Sequence, residues 1–386
     1  MIYKKNILDI VRISGESVKK FEGERNYLST GNLDFNKIVD LELVTYDSKP
    51  SRANQNVNVG EVIFAKMKDT KKTLVIDESS KDLIVSTGFY VLEPSKEIMP
   101  KYLYHYLNSE FFLNQKNRLS KGATQCALNN EGLANIKINM YDIELQKKIV
   151  EILDKSEMLI EKRKEQIEAL DELVKSKFIE MFGDPALNPK GWEKGKIADI
   201  IVKTQYGTSS KADEVKGEFK VLRMNNITYK GQWDFSSMKY VDLDEKEKQK
   251  YLVYKGEVLF NRTNSKELVG KTAVYKEEEP MAYAGYLVKA IPNERATGEF
   301  IAAYMNTKYI KGKLFNMAKN IVGMANINAE EFKKIDVYIP PIELQNQYIK
   351  FVKQVDEMKL KMENSLKELE DNFNSLMQGA FKGELF

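Results

Sequence analysis

Apolar residues recur at alternating steps of four and three in two long stretches of the chain, which is the spacing of a coiled-coil seam. The first stretch opens with Ile-Glu-Leu-Gln at Ile143–Gln146, and the second opens with the same tetrapeptide at Ile342–Gln345. The two stretches also end alike, at Phe182 and Phe381. The residues predicted to form the seam are Leu153, Ile160, Ile167, Leu170 and Val174 in the first stretch and Val352, Val355, Met362, Leu366, Leu369 and Phe373 in the second.

The segments that precede the two helices correspond as well. Ile7–Val11 has the pattern of Ile197–Ile201, and Gly60–Phe64 has the pattern of Gly256–Phe260. In the second pair an alternating run surrounds a glycine turn, which predicts a hairpin in a partly buried sheet. The framework segments match, whereas the loops between them differ in length and residue type. This pattern indicates an internal duplication in which one scaffold is used to recognise two different targets.

The predicted fold class is α+β, with two pseudo-repeated globular α/β modules that are each followed by a long helix. We place the first module at residues 1–141, its helix at 142–182, the linker with the second module at 183–340, and the second helix at 341–386. Each helix would be about 57 Å long at about 1.5 Å per residue, which exceeds the width of a small domain. The seam therefore needs another helix, and the short linker favours an antiparallel coiled coil of the two repeats.

Composition indicates a folded protein with nearly balanced charge. The 386 residues include 60 Lys and Arg against 57 Asp and Glu, a formal charge of +3, so any nucleic-acid surface must be local. One cysteine, Cys126, excludes an internal disulfide framework and fits a reducing compartment. We find no apolar run of the roughly 18 residues that a membrane span needs and no secretory signal at the start. We therefore predict a cytoplasmic location and no membrane partner.

The sequence shows few groups suited to catalysis. It contains no glycine-rich phosphate loop and no cysteine or histidine cluster with metal-ligand spacing, and its single histidine, His105, lies in an aromatic run suited to packing. Acidic strings such as Asp213–Lys216 and Asp242–Lys246 resemble parts of metal nucleases, but they arise by chance in a chain that is 30% charged. We predict a chain that is not an enzyme, with no metal site.

Paired polar loops remain as the candidate functional surface. Their lysines suit phosphate contacts, Gln125 and Asn264 suit adenine edges, and Arg262 suits guanine. Corresponding loops in both repeats favour DNA binding. The candidate DNA-binding residues are Lys66, Lys68, Lys71, Lys72, Ser86, Thr87, Arg118, Lys121, Thr124 and Gln125 in the first module and Tyr206, Thr208, Arg223, Arg262, Thr263, Asn264, Lys266, Lys319 and Asn320 in the second.

With these features the chain resembles the specificity subunit of Type I restriction-modification systems over essentially its whole length. The resemblance rests on the repeated Ile-Glu-Leu-Gln openings, the heptad helices and the exit at Phe182–Asp184. It also rests on the loop Gly122–Gln125 and the lead-in Pro340–Pro341. One departure is that Ile321–Met324 stands where the first module has Gly122–Gln125, so the contact inferred for Gln125 is not carried to the second module.

The resemblance implies a division of labour among subunits. In that family each globular module is a target recognition domain that reads one half of a split double-stranded DNA sequence, and the helices dock two modification subunits. It implies that adenine methylation and DNA cleavage belong to the modification and restriction subunits of the complex. No cofactor is then expected on this chain, and S-adenosylmethionine is expected on the modification subunit.

Two other interpretations stay open from the residues alone. A protein-interaction or carbohydrate-binding scaffold with two repeated modules fits the near-neutral charge, although the basic loops oppose it. A stand-alone metal nuclease would have to cut DNA with Mg²⁺ and without partners. Salt dependence separates the first from DNA binding, because phosphate contacts weaken steeply as salt rises.

Overall fold

The computed structural model describes residues 3–122, 126–321 and 324–385, without the side chains of residues 319–321. Contacts divide the chain into two compact units. The first unit comprises Met1–Glu165 with Glu363–Phe386, and the second comprises Gln166–Met362. Each unit therefore combines one globular module with a part of each long helix.

The first unit begins with a run of short strands and continues with three helices before the first long helix. The strands are β1 (Tyr3–Asn6), β2 (Val11–Ile13), β3 (Arg25–Leu28), β4 (Leu33–Asp34), β5 (Lys37–Ile38), β6 (Glu42–Val44), β7 (Ala53–Asn56), β8 (Val62–Ala65), β9 (Thr73–Val75), β10 (Ile84–Ser86), β11 (Phe89–Pro94) and β12 (Lys137–Met140). The helices are α1 (Pro100–Asn108), α2 (Glu110–Leu119), α3 (Asn130–Ala134) and the long α4 (Ile143–Phe182), which continues into the second unit.

The second unit follows the same order. Its strands are β13 (Glu193–Lys196), β14 (Ile201–Tyr206), β15 (Phe219–Leu222), β16 (Lys239–Val241), β17 (Leu252–Val253), β18 (Val258–Asn261), β19 (Thr263–Asn264), β20 (Thr272–Val274), β21 (Met281–Tyr283), β22 (Leu287–Pro292), β23 (Lys319–Ile321), β24 (Met324–Asn326) and β25 (Asp336–Ile339). Its helices are α5 (Glu245–Tyr251), α6 (Gly298–Met305), α7 (Lys308–Met317), α8 (Ala329–Lys333) and the long α9 (Ile342–Lys382), which returns to the first unit.

Sheet topology confirms the internal duplication. One four-stranded sheet has the order β2-β11-β8-β9 in the first unit and β14-β22-β18-β20 in the second. The other has the order β6-β3-β10-β7 and β16-β15-β21-β17, with a parallel pair, β3–β10 or β15–β21, at its centre. A two-stranded pairing joins the start of each module to its end, as β1–β12 and β13–β25. Mixed strands and helices in two equivalent modules confirm the predicted α+β class.

The glutamine of the repeated tetrapeptide ties each long helix to its own module. Gln146 is fully buried, and its Nε2 donates to the carbonyls of Glu97 at 2.8 Å and Tyr141 at 2.9 Å. Its Oε1 accepts from the Met99 amide, next to the start of α1, at 2.9 Å. Gln345 makes the equivalent bonds before α6 and α9, to Arg295, Pro340 and Thr297. Three backbone groups, one of them buried and two partly buried, thus depend on one side chain in each repeat.

α4 begins in the first unit and ends in the core of the second, and α9 begins in the second unit and ends in the core of the first. Phe182, at the end of α4, is fully buried against Phe300 and Tyr348 in the second unit. Phe381, near the end of α9, is fully buried against Tyr102 in the first unit. Within each unit the start of one long helix therefore lies beside the end of the other, which confirms the antiparallel arrangement.

Each of the eleven predicted seam residues is buried or partly buried. Leu153, Leu170 and Val355 are buried, and the other eight are partly buried. After Val174 the heptad spacing falls on Lys177, but the buried residue at this place in α4 is Phe178. The Lys177 ammonium lies over the ring of Phe351 at 5.7 Å. A straight helix drifts relative to a strict heptad repeat, which explains this shift.

Candidate nucleic-acid interface

In the first unit, three loops meet at the end of β8. The amide of Lys66 donates to the carbonyl of Gly88 at 2.9 Å, and the amide of Leu128 donates to the carbonyl of Lys66 at 2.9 Å. The amide of Lys68 donates to the carbonyl of Cys126 at 3.0 Å. These bonds bring together the lysine-rich loop after β8, the turn between β10 and β11, and the loop before α3. All three carry residues that the sequence predicts to bind DNA.

The Lys66 side chain is held within this group of loops. Its Nζ donates to the carbonyl of Thr87 at 2.9 Å and lies 4.5 Å from the centre of the Tyr90 ring. Partial burial lowers the pKa of the Lys66 ammonium. The charge is therefore fixed in place beside Thr87, which is exposed.

The other predicted residues of the first module divide into exposed and internally bonded groups. Lys68, Arg118 and Lys121 are exposed, and Lys121 pairs with Glu131 at 2.8 Å. Exposed ion pairs of this kind contribute little to stability, so a phosphate can replace the carboxylate at small cost. Ser86 is buried and its Oγ accepts from the amide of Gly88, so it shapes the turn between β10 and β11. Lys71 pairs with Glu110, Lys72 donates to a backbone carbonyl, and Thr124 and Gln125 lie outside the described residues.

In the second unit, Arg262 occupies the corresponding position at the end of β18. Its amide donates to the carbonyl of Tyr286 at 3.0 Å, and its carbonyl accepts from the amide of Ile327 at 2.9 Å. The guanidinium lies 4.8 Å from the centre of the Tyr206 ring, and its Nη1 is 3.4 Å from the carbonyl of Gly285. Tyr206 is 40% exposed beside this cation, and Tyr286, whose carbonyl bonds the Arg262 amide, is 49% exposed.

Lys66 and Arg262 are thus equivalent residues. Lys66 follows β8, which pairs with β11, and Arg262 follows β18, which pairs with β22. The backbone of each cation is bonded to the two corresponding loops of its module. Arginine and lysine differ in how they bind nucleic acid, since the guanidinium forms a planar fork and the ammonium a compact point charge. The scaffold therefore presents a different cation at one position in each repeat.

The remaining predicted residues of the second module make varied contacts. Thr263 and Asn264 form β19, which pairs with β24, and Lys266 lies over an aromatic ring. Thr208 is buried and its Oγ1 accepts from a neighbouring amide. The guanidinium of Arg223 donates to the carbonyl of a serine at 2.8 Å. Lys319 and Asn320 belong to β23, and their side chains lie outside the described residues.

A buried lysine that the sequence did not single out supports the first module's loop. The ammonium of Lys116 is buried and donates to the carbonyls of Ala65, just before the lysine-rich loop, and of Thr70 within it. Burial lowers the pKa of Lys116 to about 8. From sequence, a lysine on α2 looks like an ordinary surface residue, and only the packing shows that it points inward.

One group among the described residues has metal-binding atoms close together. His105, Asp154 and Glu157 bring one ligand atom each within 4.8 Å of one another. The Nε2 of His105 lies 2.7 Å from Asp154, whereas its Nδ1 is enclosed without a partner in the part of the chain that the structure describes. A metal on Nε2 would place a proton on the enclosed Nδ1, where it would find no acceptor. The geometry instead fits a hydrogen bond that joins α1 to α4.

Comparison with known proteins identifies the family. The family model for the Type I restriction modification DNA specificity domain matches residues 3–169 and 189–371. The chain is 24% identical to the Type I restriction enzyme EcoKI specificity subunit of Escherichia coli (strain K12), over 97% of this chain and 86% of that protein. It is 22% identical to the StySPI specificity subunit of Salmonella potsdam, over 97% of this chain and 86% of that protein.

Solved structures share the fold. A chain from a structure describing the assembly and conformational transition of the type I R-M system has a TM-score of 0.65 at 18% identity, covering 100% of this chain and 98% of that chain. The S subunit of the Type-I restriction-modification system from M. genitalium has a TM-score of 0.52 at 15% identity, covering 99% and 96%. Among the described residues, no helix has the length and hydropathy needed to span a membrane. The chain belongs to the family of Type I restriction-modification specificity subunits, as the match to both of its modules shows.

Proposed function

We propose that this chain is the non-catalytic DNA-reading subunit of a Type I restriction-modification complex and that each module reads one half of a bipartite target. The observation that carries the proposal is the equivalence of Lys66 and Arg262. Both modules place a cation where the same loops meet, surrounded by residues able to contact phosphates and base edges. The loops around the two cations differ, which suits two different half-sites.

The long helices supply the second part of the proposal. α4 has 40 residues and α9 has 41, and each belongs partly to both units. We propose that their length sets the gap between the two half-sites. Lengthening both helices by matched insertions would then lengthen the gap and leave the bases that are read unchanged.

The helices also expose apolar side chains that suit docking of modification subunits. Met158 and Leu159 on α4 in the first unit are 48% and 49% exposed. Met358 and Leu360 on α9 in the second unit are 43% and 59% exposed. Exposed apolar side chains on these helices are available for protein-protein contacts. We propose that two modification subunits bind through the helices, bring S-adenosylmethionine and methylate adenine, and that restriction subunits cut the DNA.

The proposal places the complex in the cytoplasm, where double-stranded DNA is the substrate. The family match does not favour a protein- or carbohydrate-binding scaffold. Salt provides a direct discriminator, because log affinity for DNA falls linearly with log salt when phosphates are neutralised. Binding that is insensitive to salt would support the scaffold. Cleavage of DNA by the purified chain with Mg²⁺ alone would support a nuclease.

The test begins by finding the recognised sequence. Methylation-aware sequencing of the host genome before and after deletion of this chain should reveal one bipartite motif that loses methylation. Mobility-shift assays with the chain and its modification subunits should then show preference for duplexes that carry this motif. Arg262→Ala should weaken that binding about tenfold, whereas Lys147→Ala, an exposed site on α4, should not. Equal binding to scrambled DNA of the same length would overturn the proposal.

A further inference from the structure

A matching β-turn follows the first strand of the second sheet in each unit. The turn is Ser29–Asn32 after β3 and Arg223–Asn226 after β15. The amide of the last residue donates to the carbonyl of the first, at 3.2 Å for Asn32 to Ser29 and at 3.0 Å for Asn226 to Arg223. The identical closure shows that the two turns are equivalent parts of the duplicated scaffold.

Each turn is also held by an equivalent lysine. The Nζ of Lys72, just before β9, donates to the carbonyl of Thr30 at 2.8 Å. The Nζ of Lys271, just before β20, donates to the carbonyl of Met224 at 2.7 Å. Thr30 and Met224 are the second residues of their turns. Lys271 is only 6% exposed, and burial lowers the pKa of its ammonium.

The turns lie next to the cations of the candidate interface. A Cβ added to Gly88, whose carbonyl accepts from Lys66, would come within 2.9 Å of the Thr30 side chain. In the second unit the residue before Arg262, Asn261, has its Nδ2 3.3 Å from the carbonyl of Met224. Each turn therefore lies beside the loops that surround the equivalent cation.

The framework of the turns is the same in the two repeats, whereas the displayed residues differ. The sequence is Ser-Thr-Gly-Asn in the first turn and Arg-Met-Asn-Asn in the second. The third position is exposed in both, as Gly31 and Asn225. A clamped backbone that carries different side chains at its tip is what a reader of different bases requires, because a rigid segment loses little entropy on binding.

We propose that these two turns are base-reading segments and that Lys72 and Lys271 are their positioning residues. The inference rests on the proposed function and adds to it the segment that distinguishes the half-sites. An asparagine amide pairs with the N6 and N7 groups of adenine, so Asn225 is assigned to an adenine in the second half-site. Gly31 has no side chain, so the first turn approaches the DNA through its backbone.

The first test substitutes the tip of the second turn. Asn225→Ala, in the complex with modification subunits, should reduce the preference for one adenine-thymine pair in the second half-site by about 5- to 100-fold. Preferences in the first half-site should stay unchanged. Asn346→Ala, an exposed asparagine on α9, is the matched control and should change neither. Binding to a library of randomised half-sites gives the readout.

Three outcomes are distinguishable. Loss of preference at one position of one half-site supports the inference. An unchanged base profile for Asn225→Ala, with bipartite binding intact in the parent protein, overturns the inference and leaves the proposed function standing. A parent protein that shows no bipartite preference overturns both.

The second test concerns the hydrogen bond by which Lys271 holds the second turn. Lys271→Met keeps much of the side-chain volume and removes the donor, so the second turn should lose its fixed conformation. We expect a broadened base profile in the second half-site and an unchanged profile in the first. A uniform loss of affinity for all sequences that follows a fall in melting temperature would assign Lys271 to folding only and would contradict its positioning role.

Discussion

The carboxylate of Asp171 on α4 lies 2.6 Å from the ammonium of Lys359 on α9, in the second unit. The same carboxylate accepts from Lys230 at 2.9 Å and from Gln232 at 3.0 Å, both in the loop after β15. Asp171 is only 11% exposed and Lys359 17%, so this ion pair is largely shielded from water, whereas Lys230 is 46% exposed. One side chain thus joins the two long helices to the second module.

Replacing Asp171 should loosen this junction. Asp171→Ala leaves a poorly exposed ammonium on Lys359 without its partner, which should cost about 1–3 kcal/mol. Hydrogen exchange should increase in the loop that carries Lys230 and Gln232. Glu172→Ala removes only an exposed pair on the same helix and is the control. Equal hydrogen exchange in Asp171→Ala and Glu172→Ala would show that the network does not stabilise the junction.

The same network predicts a dependence on acid. Burial raises the pKa of Asp171, but hydrogen bonds from Lys359 and Lys230 outweigh it, and the net shift is downward. A carboxyl whose pKa is lowered by folding stabilises the protein above its unfolded value, about 4, and this contribution is lost as pH falls through the folded value. The stability difference between the parent and Asp171→Asn should therefore be constant near neutral pH and shrink below about pH 4. A difference that instead disappeared between pH 6 and 8 would rule out Asp171 as its source.

The buried glutamines should be intolerant of change. Gln345→Ala removes the partner of the Thr297 amide and of the carbonyls of Arg295 and Pro340. The Pro340 bond is buried, and a buried group left without a partner costs about 1–3 kcal/mol. Chemical denaturation should show a large loss of stability in the second unit. Glu343→Ala, two residues earlier and exposed, should have little effect. Similar midpoints for the two variants would contradict the anchoring role.

The terminal phenylalanines should act on the unit whose core they enter. Phe381→Ala should destabilise the first unit by about 3–5 kcal/mol, because a fully buried ring is lost. Phe182→Ala should do the same to the second unit. Hydrogen exchange of α1 and α6 separates the two effects, and Ile179→Ala, whose side chain is 42% exposed, is the control. Increased hydrogen exchange of α6 in Phe381→Ala, or of α1 in Phe182→Ala, would contradict the observed packing.

Sequence periodicity predicted the features that depend on repetition. The heptad pattern and the Ile-Glu-Leu-Gln openings gave the duplication and helices whose observed bounds are Ile143–Phe182 and Ile342–Lys382. The hydrophobic periodicity of a long amphipathic helix is visible in its sequence, so such helices can be predicted from sequence alone. The family resemblance gave the functional class that the comparisons bear out.

Other features depend on which side chain turns inward, and local pattern carries no such information. Lys72 was predicted as a phosphate ligand, but its ammonium is bonded to Thr30, while Lys66 in the same basic segment lies beside an exposed turn. Asp171 looks like any other acidic residue of a charged helix until its three partners from distant segments are seen. The assignment of individual residues to DNA stays a prediction.

The most direct test of one module per half-site is a module exchange. Residues 1–141 would be replaced by the corresponding module of another specificity subunit, keeping the aromatic residues that contact Phe381. Methylation-aware sequencing of cells with the exchanged chain and its modification subunits should show a motif changed in one half only, with the other half and the gap unchanged. A motif changed in both halves, or in neither, would contradict the account.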